Sequence, residues 1–248
     1  NKSSITEVRK MQTETEFFDL FGLTLYVSDD HRFGTDALLL ARFAKPSKND
    51  IVCDLCSGCG IIPMLFEAWK CAPKKAYAFE IQPEAVELLK KSVEENELSE
   101  KIFPVLGDLT KNDELLQIPR ESVTLVTANP PYFKSQSGSE RLSPAQAAAR
   151  HELFCNLEQV IKAANLLLKY GGTLKICHIP ERLTDALCLM RQYGLEPKTV
   201  QFVHNRLADR PYLVLISAKK GGKPGVIVEK PALVEEMNRE LFGEGKYE

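Results

Sequence analysis

The sequence predicts an α/β fold: a doubly wound, mostly parallel sheet of seven strands, with an antiparallel hairpin near its C-terminal end and a small N-terminal extension. Three observations predict it. From residue 50 onward, short continuous apolar runs alternate with segments of helical period, the pattern of parallel strands covered on both faces. The helical segments are amphipathic: over 84–96, Ala85, Val86, Leu88, Leu89 and Val93 hold one face and Glu87, Lys90, Lys91 and Glu94 the other. Glycines and carboxylates recur at the ends of successive apolar runs, the edge at which doubly wound sheets bind ligands.

In chain order, 17–27 alternates like a short hairpin with Gly22 near its turn, and 35–44 is an apolar helix. These form an extension, residues 1–48, packed on a main domain of residues 49–248. Strands are expected over 51–56, 76–81, 102–106, 123–128 and 173–179, with helices over 61–70, 83–96, 151–169 and 181–193. Two further runs, 198–205 and 212–218, are joined by the polar segment 206–211. They are close enough for a hairpin, an antiparallel pair at one sheet edge. The stretch 217–231 is rich in Gly and Lys and reads as a loop, and 231–242 reads as a last surface helix.

A chain of 248 residues, 44% hydrophobic, buries an ordinary apolar core. It needs no disulfide or metal staple. No run approaches the roughly 20 apolar residues that cross a bilayer, and the polar first sixteen residues carry no apolar stretch for a secretory signal. The net charge is −2, so a nucleic-acid partner requires a local basic face. Seven cysteines is an odd number, incompatible with a fully paired framework and pointing to a reducing cytoplasm. Cys53, Cys56 and Cys59 stand three apart. Metal sites of this type need a fourth ligand, no second such pair follows, and no metal is expected.

The chemistry gathers at strand ends. Asp54-Leu-Cys56-Ser-Gly58-Cys-Gly60 ends the first strand of the main domain and opens its first helix. There glycine lets the backbone approach a ligand and the helix offers unpaired N–H groups. Glu80, twenty residues after Gly60, ends the second strand beside Ile81, where a carboxylate accepts ribose hydroxyls. Gly107-Asp108-Leu109 ends the third, where Asp108 can accept from an adenine amino group. Pro63 stands where a nicotinamide-type loop has its third glycine. Asn129-Pro130-Pro131-Tyr132 follows the fourth strand. Two prolines fix φ and remove donors, leaving the Asn129 oxygen and the Pro130 carbonyl to accept from a flat exocyclic amine. Tyr132, with Phe133, offers a face for a base.

The glycine loop resembles motif I of the class I S-adenosylmethionine-dependent methyltransferases, whose fold is Rossmann-like. The tetrapeptide resembles the NPPY motif of amino-group N-methyltransferases. Arg32-Phe33-Gly34-Thr35-Asp36 before the domain and Ala149-Arg150-His151-Glu152 after the catalytic loop are similar to the bacterial tRNA1(Val) adenine-37 N6-methyltransferases. The resemblance implies S-adenosylmethionine as cofactor. It implies cofactor contacts at Phe33, Gly34, Thr35, Asp36, Asp54, Cys56, Gly58, Gly60, Glu80, Ile81, Asp108, Leu109 and Asn129, and catalysis at Asn129, Pro130, Pro131 and Tyr132. It implies tRNA as substrate, with Phe133, Arg206, Arg210, Lys219 and Lys220 as candidate contacts. A glutamine-N5 protein methyltransferase, a guanine-N2 rRNA methyltransferase and a non-catalytic binding module stay open as alternatives. Arg150, His151 and Glu152 read as a helix start, and His31, His178 and His204 as structural or surface residues.

Overall fold

A computed structural model describes residues 15–131 and 156–236 of the chain. It opens with an antiparallel hairpin, β1 (Thr15–Leu20) and β2 (Leu23–Ser28). Phe21 and Gly22 both take positive φ, 54° and 89°, as a two-residue turn matched to strand twist requires. The hairpin docks through β2 onto α3 (Pro83–Glu95) and its C-cap residue Asn96. Asn96 Oδ1 accepts from Thr24 N at 2.8 Å, its Nδ2 donates to Thr24 O at 2.7 Å, and Ser92 Oγ accepts from Tyr26 N at 2.9 Å. Helical side chains thus stand in for a third strand and satisfy backbone groups that an edge leaves open.

After α1 (Thr35–Ala44) the main sheet is built from β3 (Ile51–Leu55), β4 (Lys75–Glu80), β5 (Ile102–Leu106), β6 (Val123–Ala128), β7 (Leu168–His178), β8 (Leu195–His204) and β9 (Leu213–Lys220). Two short strands, β10 (Ile227–Val228) and β11 (Ala232–Leu233), both pair with β8. The order runs β10-β8-β9-β7-β6-β3-β4-β5. Every pairing is parallel except those of β9, which lies between β7 and β8 and runs against both.

Helices α1, α2 (Ile61–Ala68) and α3 cover one face with the hairpin; α5 (Leu157–Leu167) and α6 (Leu183–Gln192) pack on the other, and α4 (Asn112–Leu115) adds Leu115 to that side. Apolar residues on successive strand positions fill two separate clusters, one per face. A reciprocal capping box, Asn156 with Gln159, starts α5.

Four differences from the sequence expectation go beyond a residue or two at an element's end. The expected helix over 151–169 stops at Leu167, and β7 begins at once rather than at residue 173. Leu168 pairs with Val123, and the register then slips past Gly171 and Gly172. A Cβ on Gly172 would meet Lys169 O at 2.9 Å and Thr124 O at 3.2 Å, so glycine makes the bulge possible. β8 likewise starts at Leu195 instead of 198, with its own register slip beside Pro197. The expected loop over 217–231 contains the end of β9 and all of β10, and the expected last helix begins as strand β11, turning helical only over 234–236. The remainder of that expected helix and the first five residues of the expected 151–169 helix lie outside the described residues.

Candidate active site

Because β3 to β8 all run the same way and only β9 is reversed between β7 and β8, the C-terminal ends of β3 to β8 share one edge of the sheet. The loop after β3 is shaped by three positive φ values, Cys56 58°, Gly58 57° and Gly60 80°. Only glycine adopts such backbone freely. A Cβ on Gly60 would lie 2.2 Å from Leu89 Cδ1, so its bareness lets the start of α2 lie against Leu89 of α3. A Cβ on Gly58 would meet nothing within 4 Å; this loop faces open space.

Glu80, buried at the end of β4, holds that loop. Its Oε2 accepts from Gly58 N at 2.8 Å, and its Oε1 from Ile81 N at 2.9 Å and Gln82 N at 3.0 Å. Of roughly four lone-pair sites on a carboxylate, about one is left for a ligand. Asp54 lies beneath, almost wholly buried, with Oδ1 accepting from Thr127 Oγ1 at 2.6 Å and Oδ2 from Ser57 Oγ at 2.7 Å. Burial pushes its carboxyl up to about 7 despite those two donors, and Glu80 adds to the rise. Asp54 therefore ties β3, the glycine loop and β6 together from below.

Just past β5, Gly107 N donates to Glu80 O at 2.9 Å. Asp108 Oδ1 accepts from Thr110 N and Oγ1 at 2.9 and 2.7 Å, a local turn that leaves the side chain half-buried; Leu109 is buried in the core and Ile81 half-buried. Phe33 packs edge-to-face on Phe18, centroids 5.7 Å apart, while Gly34 and Thr35 are exposed at the start of α1.

Asn129 and Pro131, half-buried, and buried Pro130 follow β6 at the same edge. Tyr132 and Phe133 lie outside the described residues, as do Arg150, His151 and Glu152. Beside Asn129 the structure brings Cys177, which sequence reasoning missed, with Tyr212 close to Cys177. The Cys177 thiol donates to Asn129 Oδ1 at 3.1 Å. Tyr212 packs on the same cluster as Cys177; its hydroxyl is pushed up to about 12 by burial, then by Asp36 and Cys177. The signal for Cys177 lies in strand adjacency, which one sequence read alone does not give.

Arg206 and Arg210 are exposed in the β8–β9 connection, at the site's edge of the sheet. Lys219 and Lys220 do not join them. They end β9, which runs the other way: Lys219 pairs with Thr173 of β7 and Glu196 of β8, and Lys220 with Leu195, the first residue of β8, at the opposite edge. Lys220 Nζ donates to Asn165 O at 2.7 Å and Leu168 O at 2.8 Å, closing the end of α5. His178 is buried, accepts from Ile179 N at 2.9 Å through Nδ1, and is held neutral by burial, which pulls it down to about 4.

Cys53 and Cys59 belong to apolar clusters on opposite faces of the sheet, because one sits on β3 and the other turns into α2. Among the described residues no three His, Cys, Asp or Glu side chains are grouped to hold a metal ion, and no helix is long and apolar enough to cross a membrane.

Residues 39–128, from α1 through the end of β6, match the TRM5/TYW2 methyltransferase domain. The chain is 28% identical over 182 residues to the tRNA1(Val) (adenine(37)-N6)-methyltransferase of Porphyromonas gingivalis, covering 72% of this chain and 68% of that one. Among solved structures it resembles the M. jannaschii tRNA m1G37 methyltransferase, with TM-score 0.59 and 25% identity over 86% of this chain and 56% of that chain. It shares its fold with M. jannaschii TYW2 in complex with AdoMet, with TM-score 0.57 and 15% identity over 84% of this chain and 86% of the other.

Proposed function

We propose that this chain, an S-adenosylmethionine-dependent N-methyltransferase of the class I fold, methylates the exocyclic N6 of an adenine in tRNA. The observation that carries the reading is a stiff Asn-Pro-Pro segment leaving β6 beside the glycine loop of β3, on adjacent parallel strands. The adenine-N6 activity named for the P. gingivalis relative supports the choice of base.

The residues fit the cofactor. The open space in front of Gly58, where a Cβ would project, and the buried carboxylate of Glu80 behind it form the floor of a cradle. In this reading Glu80 uses its remaining lone pair on the ribose, Asp108 and Leu109 take the adenine end, Cys56, Gly60 and Ile81 complete the wall, and Phe33 to Asp36 close over it. S-adenosylmethionine supplies a methyl group already activated by its sulfonium. The protein's part is position and electrostatics. An adenine N6 lone pair is delocalised into its ring. Asn129 Oδ1 and the Pro130 carbonyl accept its two hydrogens, pull the nitrogen toward tetrahedral geometry, and meet the positive charge that develops on it. No strong base is needed before attack. Tyr132, with Phe133, stacks on the extruded base. Arg206 and Arg210 extend the site toward phosphates. We also read residues 1–48 as an extension on a methyltransferase domain of residues 49–248, working in the reducing cytoplasm to which the odd cysteine count of seven points.

The test is methyl transfer from labelled S-adenosylmethionine to total tRNA and, in parallel, to a protein extract, followed by mass analysis of nucleosides. N6-methyladenosine is the expected product. Label in N1- or N2-methylguanosine, or only in protein glutamine, overturns the substrate.

A further inference from the structure

Strands β6 and β7 are parallel, with Ala128 beside Ile176. The next residues along the chain, Asn129 just past β6 and Cys177 within β7, fall side by side, and their side chains meet. Cys177 is fully buried in the apolar cluster beneath α1, opposite Leu215 of β9. An aliphatic side chain fills such a place as well as a thiol does. What the thiol adds is a donor, and it is directed at Asn129 Oδ1 from 3.1 Å.

That donor matters because a carboxamide has two ends of nearly equal size, one accepting and one donating. Pro130 and Pro131 fix the backbone after Asn129. They do not fix the final torsion of its side chain, which is broad and roughly two-fold. In one orientation the oxygen faces the methyl acceptor. In the other the NH2 group does, and two donors then oppose the amine's own hydrogens. An S–H anchored in a buried strand favours the first orientation. A carbonyl oxygen has two lone pairs, so accepting from the thiol is compatible with accepting from the amine as well.

We propose that Cys177 is a positioning residue for Asn129: its buried thiol selects which end of the carboxamide faces the target amine. The inference rests on the reading of Asn129 as an acceptor for that amine. Cys177 itself touches neither substrate nor cofactor in this scheme.

The test compares Cys177→Val, which fills the space without a donor, with Cys177→Ser, which keeps one, each alone and combined with Asn129→Ala. Steady-state kinetics with S-adenosylmethionine and tRNA are read together with melting temperatures. Cys177→Val is expected to lower kcat about 3- to 10-fold, the worth of one neutral hydrogen bond, with KM for the cofactor unchanged. Cys177→Ser should hold kcat near wild type. In the Asn129→Ala background neither change should alter the residual rate, because the two side chains act as one unit. A wild-type kcat for Cys177→Val overturns the proposal, and so does an equal loss in Val and Ser that follows their melting temperatures. Full additivity with Asn129→Ala overturns it as well. Asn129→Ala alone separates the premise from the inference: unchanged turnover there removes the reading of the catalytic loop, whereas a 10²–10³-fold loss keeps that reading and leaves the Cys177 comparison to decide the rest.

Discussion

At the residue scale the glycine loop divides its work between two positions that read alike in sequence. Gly60 has φ 80° and stands where a Cβ would lie 2.2 Å from Leu89 Cδ1, whereas Gly58 has φ 57° and faces open space. Gly60→Ala is expected to destabilise the fold by on the order of 2–4 kcal/mol, from backbone strain and overpacking together. Gly58→Ala carries only the backbone cost, roughly 1–2 kcal/mol, and should instead weaken cofactor affinity. Urea unfolding and calorimetric titration with S-adenosylmethionine separate the two effects, and equal loss of stability in both variants would contradict this division. The same scale shows what a sequence leaves hidden. Asp54 and Glu80 are legible as acidic residues at strand ends. That Asp54 binds Thr127 and Ser57, and that Glu80 accepts from the Gly58 backbone, depends on which strands become neighbours. Cys177 escaped notice for the same reason.

At the element scale, alternation of apolar runs with amphipathic helices sets the order of elements, since parallel strands buried on both faces write themselves as continuous apolar runs. Boundaries were lost where glycine or a short edge pairing overrides composition: Gly171 and Gly172 read as a loop yet make a bulge in β7, and the Gly/Lys-rich stretch after β9 carries β10. The placing of α1 is a tertiary matter too. Lys175 of β7 donates from Nζ to Phe43 O at 2.9 Å and Ala44 O at 2.8 Å, the last carbonyls of that helix. A cation suits the negative end of a helix dipole, although burial pulls this ammonium's pKa down. Lys175→Met keeps the stem and removes the donor. It should cost about 1–3 kcal/mol and speed amide exchange in α1 ahead of α2 and α3. Exchange that rises uniformly across the three helices, or stability within experimental error of wild type, would show that the lysine does not anchor α1.

On the scale of the whole molecule, the two faces of the sheet meet at an edge that buries two titratable groups of opposite tendency. Asp54 is raised from 3.8 to about 7, chiefly by burial. The folded state therefore keeps its proton longer than the unfolded chain, and the stability present below the unfolded value is lost as pH rises through 7. His178 is lowered from 6.5 to about 4, again chiefly by burial, with Arg182 adding to it. Its contribution is present above 6.5 and is lost as pH falls through 4. Between pH 4 and 6.5 the two slopes oppose each other, so each is visible only as a difference from wild type. Measured without cofactor, Asp54→Asn should gain stability relative to wild type as pH rises from 4 to 7, by on the order of 2–4 kcal/mol. His178→Asn keeps an acceptor for Ile179 N and should gain relative to wild type as pH falls from 6.5 to 4, by a comparable amount. Denaturant unfolding across that range checks both. Parallel profiles for wild type and Asp54→Asn would mean that Asp54 is charged in the folded protein throughout. The buried pair of hydroxyls from Ser57 and Thr127 would then outweigh burial, and the floor of the cofactor loop would carry a fixed negative charge at every pH tested.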